Sequence, residues 1–179
     1  MKYEIKDIIK RYDAGEQLEY VFFWGHYCKD GQVTKACFSQ WFPCNFEVDG
    51  IMYNCAEQYM MAEKARVFED EETRAKILAA SDPKIIKALG REVKNFSVEK
   101  WAPVSKEIVV KGNMHKFAQN IELFQFLHGT GKRFSLKQAH TIPSGATVCR
   151  NQMKAFSIHT IGRATTNWAL LLWRSEMHF

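Results

Sequence analysis

The stretch from Cys37 to Ala65, CFSQWFPCNFEVDGIMYNCAEQYMMAEKA, sets the strongest limit on how this chain folds. An aromatic, strand-like run carrying Phe38, Trp41, Phe42 and Pro43 passes through Asp49-Gly50, a pair suited to a tight hairpin turn, into an amphipathic helix. Glu57 and Lys64 stand seven positions apart in that helix. At about 100° per residue they project nearly in line, two turns from one another. An acid and a base so placed suit the flanking of a small anionic ligand. A plainer reading stands beside it. Asn54 followed three residues later by Glu57 reads as a capping box, and Lys64 reads as a solvated lysine. Spacing alone favours the plainer reading.

Residues 20–24 and 46–53 read as short strands, the second interrupted by its own turn. Helices dominate the remainder. Asp70 is placed to cap a helix over 71–80, and Ser81-Asp82-Pro83 opens another that Gly90 closes. Ser97 starts the longest helix, to about residue 118, with Pro103 early enough in it to be tolerated. Residues 121–127 add a last turn or two before the breaker Gly129-Thr130-Gly131. Met60, Trp101, Phe117, Phe124 and Phe126 are expected in the core. The fold class is α+β, mainly α: one compact domain of several helices with a small N-terminal sheet.

A chain of 179 residues with 46% hydrophobic content can bury a proper core without disulfides. The five cysteines, Cys28, Cys37, Cys44, Cys55 and Cys149, are odd in number and contain no C-x-x-C pair. Both a disulfide framework and a zinc site are disfavoured, and buried free thiols are expected. His26, His115 and His128 lack metal-ligand spacing, so neither a metal nor a redox cofactor is indicated. The charged opening MKYEIKDIIKR has no long apolar stretch, which argues against a signal peptide or a membrane span and for a cytoplasmic protein. Charge changes sharply near the end. Residues 132–179 hold seven Lys or Arg and one acid, leaving 18 basic and 19 acidic residues before them. A basic terminus of this kind is one signature of a nucleic-acid arm, though this tail lacks the Gly, Ser or Lys clusters that usually accompany one.

The order of residue types resembles the NADAR family, also called YbiA-like. Its aromatic-Pro element corresponds to Phe38-Ser39-Gln40-Trp41-Phe42-Pro43, and its turn to Val48-Asp49-Gly50 with Tyr53 following. Its E-x-x-x-M-x-x-K-A helix corresponds to Glu57, Met61, Lys64 and Ala65. Ala88-Leu89-Gly90-Arg91, Trp101, Glu107-Ile108-Val109, Gly112-Asn113 and Lys116-Phe117 follow in the expected order. The similarity covers residues 22–131, about the extent of the NADAR-like domain, taken as 1–131.

The resemblance implies an N-glycosidase that cleaves a ribose C1′–N bond, on phosphoribosylated riboflavin-pathway intermediates or on ADP-ribose adducts. Glu57 is then the carboxylate that stabilises the sugar cation or takes a proton from water. Lys64 and Arg91 are the phosphate ligands, and Trp41 and Phe42 the surface on which the departing base stacks. Each has a structural alternative, since Trp41 and Phe42 suit a core and Arg91 suits a helix C-terminus. A non-catalytic ADP-ribose or nucleotide-binding module is the alternative function. Nucleic acid enters as a partner only as an ADP-ribosylated substrate, and the oligomeric state is not indicated.

Departure from the family begins near Lys132. The family continues with a strand close to VLVEASPYDxIWG and a later segment close to FNPxxWxGxNxLGxALMEVR, and neither is present. Read one base out of frame, however, 135–145 (SLKQAHTIPSG) can encode VEASPYDTIW, 155–162 can encode VFNPYNW, and 162–175 can encode KGDNKLGFALMEV. Residues 132–179 therefore read as out-of-frame translation, expected to pack poorly, to expose Trp168 and Trp173, and to leave the pocket without an Asp and a Trp opposite Glu57. Weak or absent activity is the expected consequence.

Overall fold

The computed structural model describes residues 5–27, 32–131, 133–137 and 157–159. Among these residues are six α-helices, five short strands and one 3-10 helix, a mainly helical α+β fold. They group into two compact units, one of Gln40–Ile121 and one in which Met1–Ser39 joins Glu122–Phe179.

In the first unit, strands β2 (Phe46–Val48) and β3 (Ile51–Tyr53) form an antiparallel hairpin with Val48 opposite Ile51. Its two turn residues, Asp49 and Gly50, have φ of 52° and 80°. A type I′ turn requires that sign at both positions, and Asp and Gly tolerate it. Lys111 grips the turn through the Asp49 carboxylate at 2.5 Å. Gln119 accepts from the Glu47 N–H and donates to its carbonyl, each at 2.8 Å. The hairpin is thereby fastened to α5 (Val98–Gln119).

Helix starts in this unit follow the capping residues. The Asp70 carboxylate accepts from the Thr73 N–H to open α3 (Glu71–Ala79) and from the Lys94 N–H, at 3.1 and 2.9 Å. These donors hold its carboxyl well below the usual range, at about 2. Asp82 caps α4 (Pro83–Arg91), with Pro83 at the first turn where its missing N–H costs no hydrogen bond. Ser97 caps the 22-residue α5, which runs through Pro103.

Around these sits α2 (Ala56–Val67), packed against α3, α4 and α5. Two glycines permit the approach. A Cβ on Gly112 of α5 would lie 2.4 Å from the Tyr59 ring, and one on Gly90 of α4 would lie 2.0 Å from Met61 Sδ. Gly90 therefore lies within the last turn of α4 as a packing glycine, and the helix ends one residue later than the sequence suggests, at Arg91. Tyr53, Tyr59, Phe46, Trp101 and Phe117 complete the core of the unit.

The second unit contains α1 (Ile5–Asp13), a helix that sequence reading misses. Its Ile8 is fully buried in a cluster with Phe134, Leu18, Tyr20 and Phe22. Strand β1 (Tyr20–Phe23) pairs in parallel with β4 (Phe134–Lys137), Tyr20 opposite Phe134. β4 pairs in turn, antiparallel, with β5 (Ser157–His159). The aromatic run expected to be a strand instead begins as a 3-10 helix, Lys35–Phe38, capped by Thr34, and passes into a turn. The Thr34 hydroxyl takes the Ala36 N–H at 3.3 Å, and local bonding of this kind competes with a sheet ladder. Phe124 and Phe126 on α6 (Ile121–Gly129) are half-buried rather than core, because Leu123 and Leu127 occupy the inward stripe.

β4 lies within the stretch that the shifted-frame reading assigns to a poorly packing tail, yet it is paired, with Phe134 and Ser135 buried. Ladder bonds join main-chain groups and are indifferent to which frame supplied the side chains, and one well-placed aromatic suffices to seat so short a strand. Residues 138–156 and 160–179, including Cys149, Trp168 and Trp173, lie outside the described residues, as does Cys28. Among the described residues no helix is long and apolar enough to cross a membrane.

Two stability outcomes follow. Gly112→Ala costs about 1–3 kcal/mol in urea unfolding, because a Tyr59 ring packed in the core yields little, whereas Gly90→Ala costs less because the flexible Met61 side chain can swing aside. The second concerns acid. A carboxyl at about 2 in the folded chain and 3.8 when unfolded adds stability that is complete above about pH 4 and lost as pH falls through 2. Asp70→Asn is expected to flatten the fall in thermal midpoint over that window, and an unchanged slope would contradict it.

Candidate active site

The residues singled out from sequence all fall in Gln40–Ile121. Their arrangement starts from one turn, Gln40-Trp41-Phe42, which docks on the N-terminus of α2. The Glu57 N–H, one of the donors a helix start leaves without an intrahelical acceptor, donates to the Gln40 carbonyl at 3.0 Å. The Gln40 side-chain amide exchanges hydrogen bonds with Asn113 of α5, at 3.2 and 3.4 Å. Asn113 is oriented by its own bond to the Val109 carbonyl at 2.8 Å. One residue thus ties the aromatic turn to both helices.

The turn divides its two aromatics. Phe42 is buried, with Lys116 Nζ 5.5 Å above its ring centre, so its surroundings are those of a core residue. Trp41 is half-exposed, and Lys87 Nζ of α4 lies 5.7 Å from its ring centre. Of the pair, Trp41 is the more exposed.

Glu57 is fully buried in the first turn of α2. The capping box expected from Asn54 and Glu57 does not form. The N-cap is Cys55, and Gln58, one residue further on, reaches back to accept the Asn54 N–H at 2.8 Å. The Gln58 amide group also donates to the Ile77, Leu78 and Ala80 carbonyls at the end of α3, at 2.9–3.1 Å. The start of α2 carries no side-chain cap hydrogen bond, so the Glu57 side chain is not its cap. Burying a carboxylate costs several kcal/mol in desolvation.

Lys64 is 9% exposed, which overturns the solvated reading. Its Nζ donates to the Gly90 carbonyl at 2.8 Å and stands 4.1 Å from the Phe96 ring centre. Burial, and secondarily the nearby Arg91 guanidinium, hold its ammonium below the ordinary lysine range. Lys64 and Arg91 are therefore brought together, at the end of α4. Arg91 itself is exposed, and Lys87 stands one helical turn before it. Glu57 and Lys64 are both buried on α2.

Two cations escaped sequence reading as site residues. Lys87 had no signal beyond its helical register with Arg91. Lys116 appeared only as part of a motif, yet it is fully buried, its Nζ also 5.4 Å from the Phe117 ring centre. Burial pushes the Cys55 thiol up to about 11 and also raises Cys44. Neither Cys44 nor Cys55 is therefore an activated nucleophile, since only a thiolate attacks. Among the described residues no group of three His, Cys, Asp or Glu is arranged to hold a metal ion. What the arrangement offers is an enclosed carboxylate, a half-buried indole and cations at one end of α4.

The family model described as the NADAR domain matches residues 22–141. An N-glycosidase of Acanthamoeba polyphaga mimivirus is 42% identical over 120 residues, spanning 64% of this chain and 69% of that protein. A riboflavin biosynthesis protein of Vibrio vulnificus is 29% identical over 64% of this chain but 32% of its own length, and Protein irg-1 of Caenorhabditis elegans is 28% identical over 53% of each. In three dimensions the chain is similar to the NMR structure of the Escherichia coli protein YbiA, with a TM-score of 0.56 and 23% identity over 70% of this chain and 71% of that one. That likeness concerns the fold, and the sequence match beyond Gly131 continues through β4. By the extent of that family match, this chain is a member of the NADAR family.

Proposed function

We propose that the chain is an N-glycosidase that hydrolyses the bond between a ribose C1′ and a nitrogen. The observation that carries this reading is Glu57, an acid fully enclosed in the first turn of α2, whose backbone N–H bonds the Gln40 carbonyl next to the half-buried Trp41. Membership in a family with a relative named N-glycosidase supports the same reaction class. The proposed substrates are phosphoribosylated riboflavin-pathway intermediates or ADP-ribose adducts, in keeping with the relative named for riboflavin biosynthesis.

In this scheme the base stacks on Trp41, and Arg91, with Lys64 beside it, receives the phosphate. The C1′–N electron pair leaves with the nitrogen as positive charge develops on the ribose, where the Glu57 carboxylate stabilises it. Water then adds to C1′, Glu57 accepts one of its protons, and that proton is passed to the departed nitrogen. Phe42 serves beneath the site as packing.

The proposed activity is impaired in this polypeptide. By resemblance, an Asp and a Trp supplied by the family's segment after Gly131 would face Glu57, and those motifs are absent from 132–179. We attribute that absence to a slipped reading frame near Lys132, which sequencing of the underlying gene tests directly. The same absence favours a second reading, a module that binds ADP-ribose or a nucleotide without cleaving it. A phosphoribosylated aminopyrimidine and ADP-ribosylated adducts are the substrates to try, with the chain as given and with its frame restored. The expected outcome is slow release of ribose 5-phosphate or ADP-ribose, faster in the restored chain, and reduced about 10²–10³-fold by Glu57→Gln. Arg91→Ala is expected to raise KM more than it lowers kcat. Binding measured by calorimetry with no release from either form would favour the non-catalytic module.

A further inference from the structure

Lys87 is a cation beside the candidate site to which the proposed scheme gives no task. It is half-buried on α4, and its Nζ lies 5.7 Å from the Trp41 ring centre, within the range in which an aromatic ring attracts an ammonium. Arg91 follows four residues later, and residues so spaced are neighbours on one face of a helix. A single stripe of α4 therefore runs from the indole to the guanidinium.

Positive charge gathers at the end of that stripe. Lys64 reaches it from α2 by donating to the Gly90 carbonyl at 2.8 Å. Arg66, Arg74, Lys76, Lys94 and Lys111 of the same unit each form an ion pair with a carboxylate. Among the described residues neither Lys64 nor Arg91 does. Like charges one turn apart repel, and the dipole of a helix C-terminus offsets this only within its last turn. Arg91 lies in that turn, whereas Lys87 stands before it. An anion placed along the stripe would relieve the repulsion and meet two kinds of donor, the planar fork of Arg91 and the point charge of Lys87.

We propose that Lys87 is a further substrate-binding residue, which takes a phosphate oxygen together with Arg91 and so links the phosphate to the ring held at Trp41. Which phosphorylated sugar is bound rests on the glycosidase reading, whereas the capture of a sugar phosphate does not. The ammonium sits on a flexible four-carbon stem, so it can leave the indole for a phosphate when one arrives. A sugar without a phosphate gives it no reason to move. Lys87 thereby makes phosphorylation a condition of tight binding.

Ribose 5-phosphate is the probe, added to the full chain while the Trp41 indole N–H is followed by nitrogen-15 NMR and assigned by its loss in Trp41→Phe. The Trp41 signal is expected to move as ribose 5-phosphate binds and to stay in place with plain ribose. In Lys87→Met the Kd for ribose 5-phosphate is expected to rise about tenfold, and the Trp41 signal to stay in place. Lys87→Arg, which keeps the charge, is expected to recover most of the affinity. A Kd unchanged in Lys87→Met, or a Trp41 signal that moves there as far as in the unaltered chain, overturns the proposal. An arginine variant as weak as the methionine one overturns it too, since charge is then not what binds. Should methionine disturb the fold, Lys87→Gln is read in the same way. If no glycoside is released while these shifts appear, the glycosidase reading fails and the role of Lys87 stands; turnover with equal KM in the unaltered chain and in Lys87→Met leaves the reading and removes the role.

Discussion

Everything in the central unit depends on the burial of α2. It packs against three other helices, and eight of its twelve residues are buried. A helix enclosed on so many sides needs neighbours able to come close, and Gly112 and Gly90 meet that need by offering no Cβ where Tyr59 and Met61 pass. It also needs its polar ends satisfied without water. Gln58 answers this twice, taking the Asn54 N–H at the start of α2 and donating to carbonyls at the end of α3. The Gln40 carbonyl answers it a third time by receiving the Glu57 N–H.

That division of labour turns a buried helix into a candidate site. The polar side chains it encloses, Glu57, Gln58 and Lys64, have distinct tasks. Gln58 joins helix ends, and Lys64 fastens the last turn of α4 by donating to the Gly90 carbonyl, which brings Arg91 near. Glu57 is the acid to which the proposed reaction assigns the chemistry. The same turn that receives its N–H sets Trp41 half-open beside it and buries Phe42 under Lys116, so accessible and enclosed aromatics adjoin within two residues. Local rigidity of this kind, with each side chain held by an independent partner, is what preorganisation requires of a site.

Much of this was legible in the sequence. Capping residues announced themselves, since Asp70, Asp82-Pro83 and Ser97 are short polar or φ-restricted residues ahead of apolar periodic runs, and each opens the helix expected of it. Asp49-Gly50 likewise fixed the hairpin through its need for positive φ. The misses share a cause. Which of Glu57 and Gln58 serves the helix start depends on α3, whose carbonyls draw Gln58 into place from about twenty positions away in the chain. Lys64 and Lys116 look like surface lysines because burial of a long side chain is decided by tertiary neighbours such as Phe96 and Phe42. The 3-10 helix over Lys35–Phe38 replaced a strand because Thr34 supplied local hydrogen bonding to an otherwise strand-like aromatic run. α1 was missed because it is short and its one fully buried residue, Ile8, finds partners only after β1 and β4 have paired.

The account rests on Glu57 delivering water to a ribose C1′. Single-turnover reaction in oxygen-18 water, with the released sugar analysed by mass spectrometry, reads that event at the reacting atom. The account predicts one heavy oxygen at C1′ of the product at the earliest times and none from Glu57→Gln over the same interval. Label appearing equally fast in that variant, or release of the base without label entering the sugar, would contradict it.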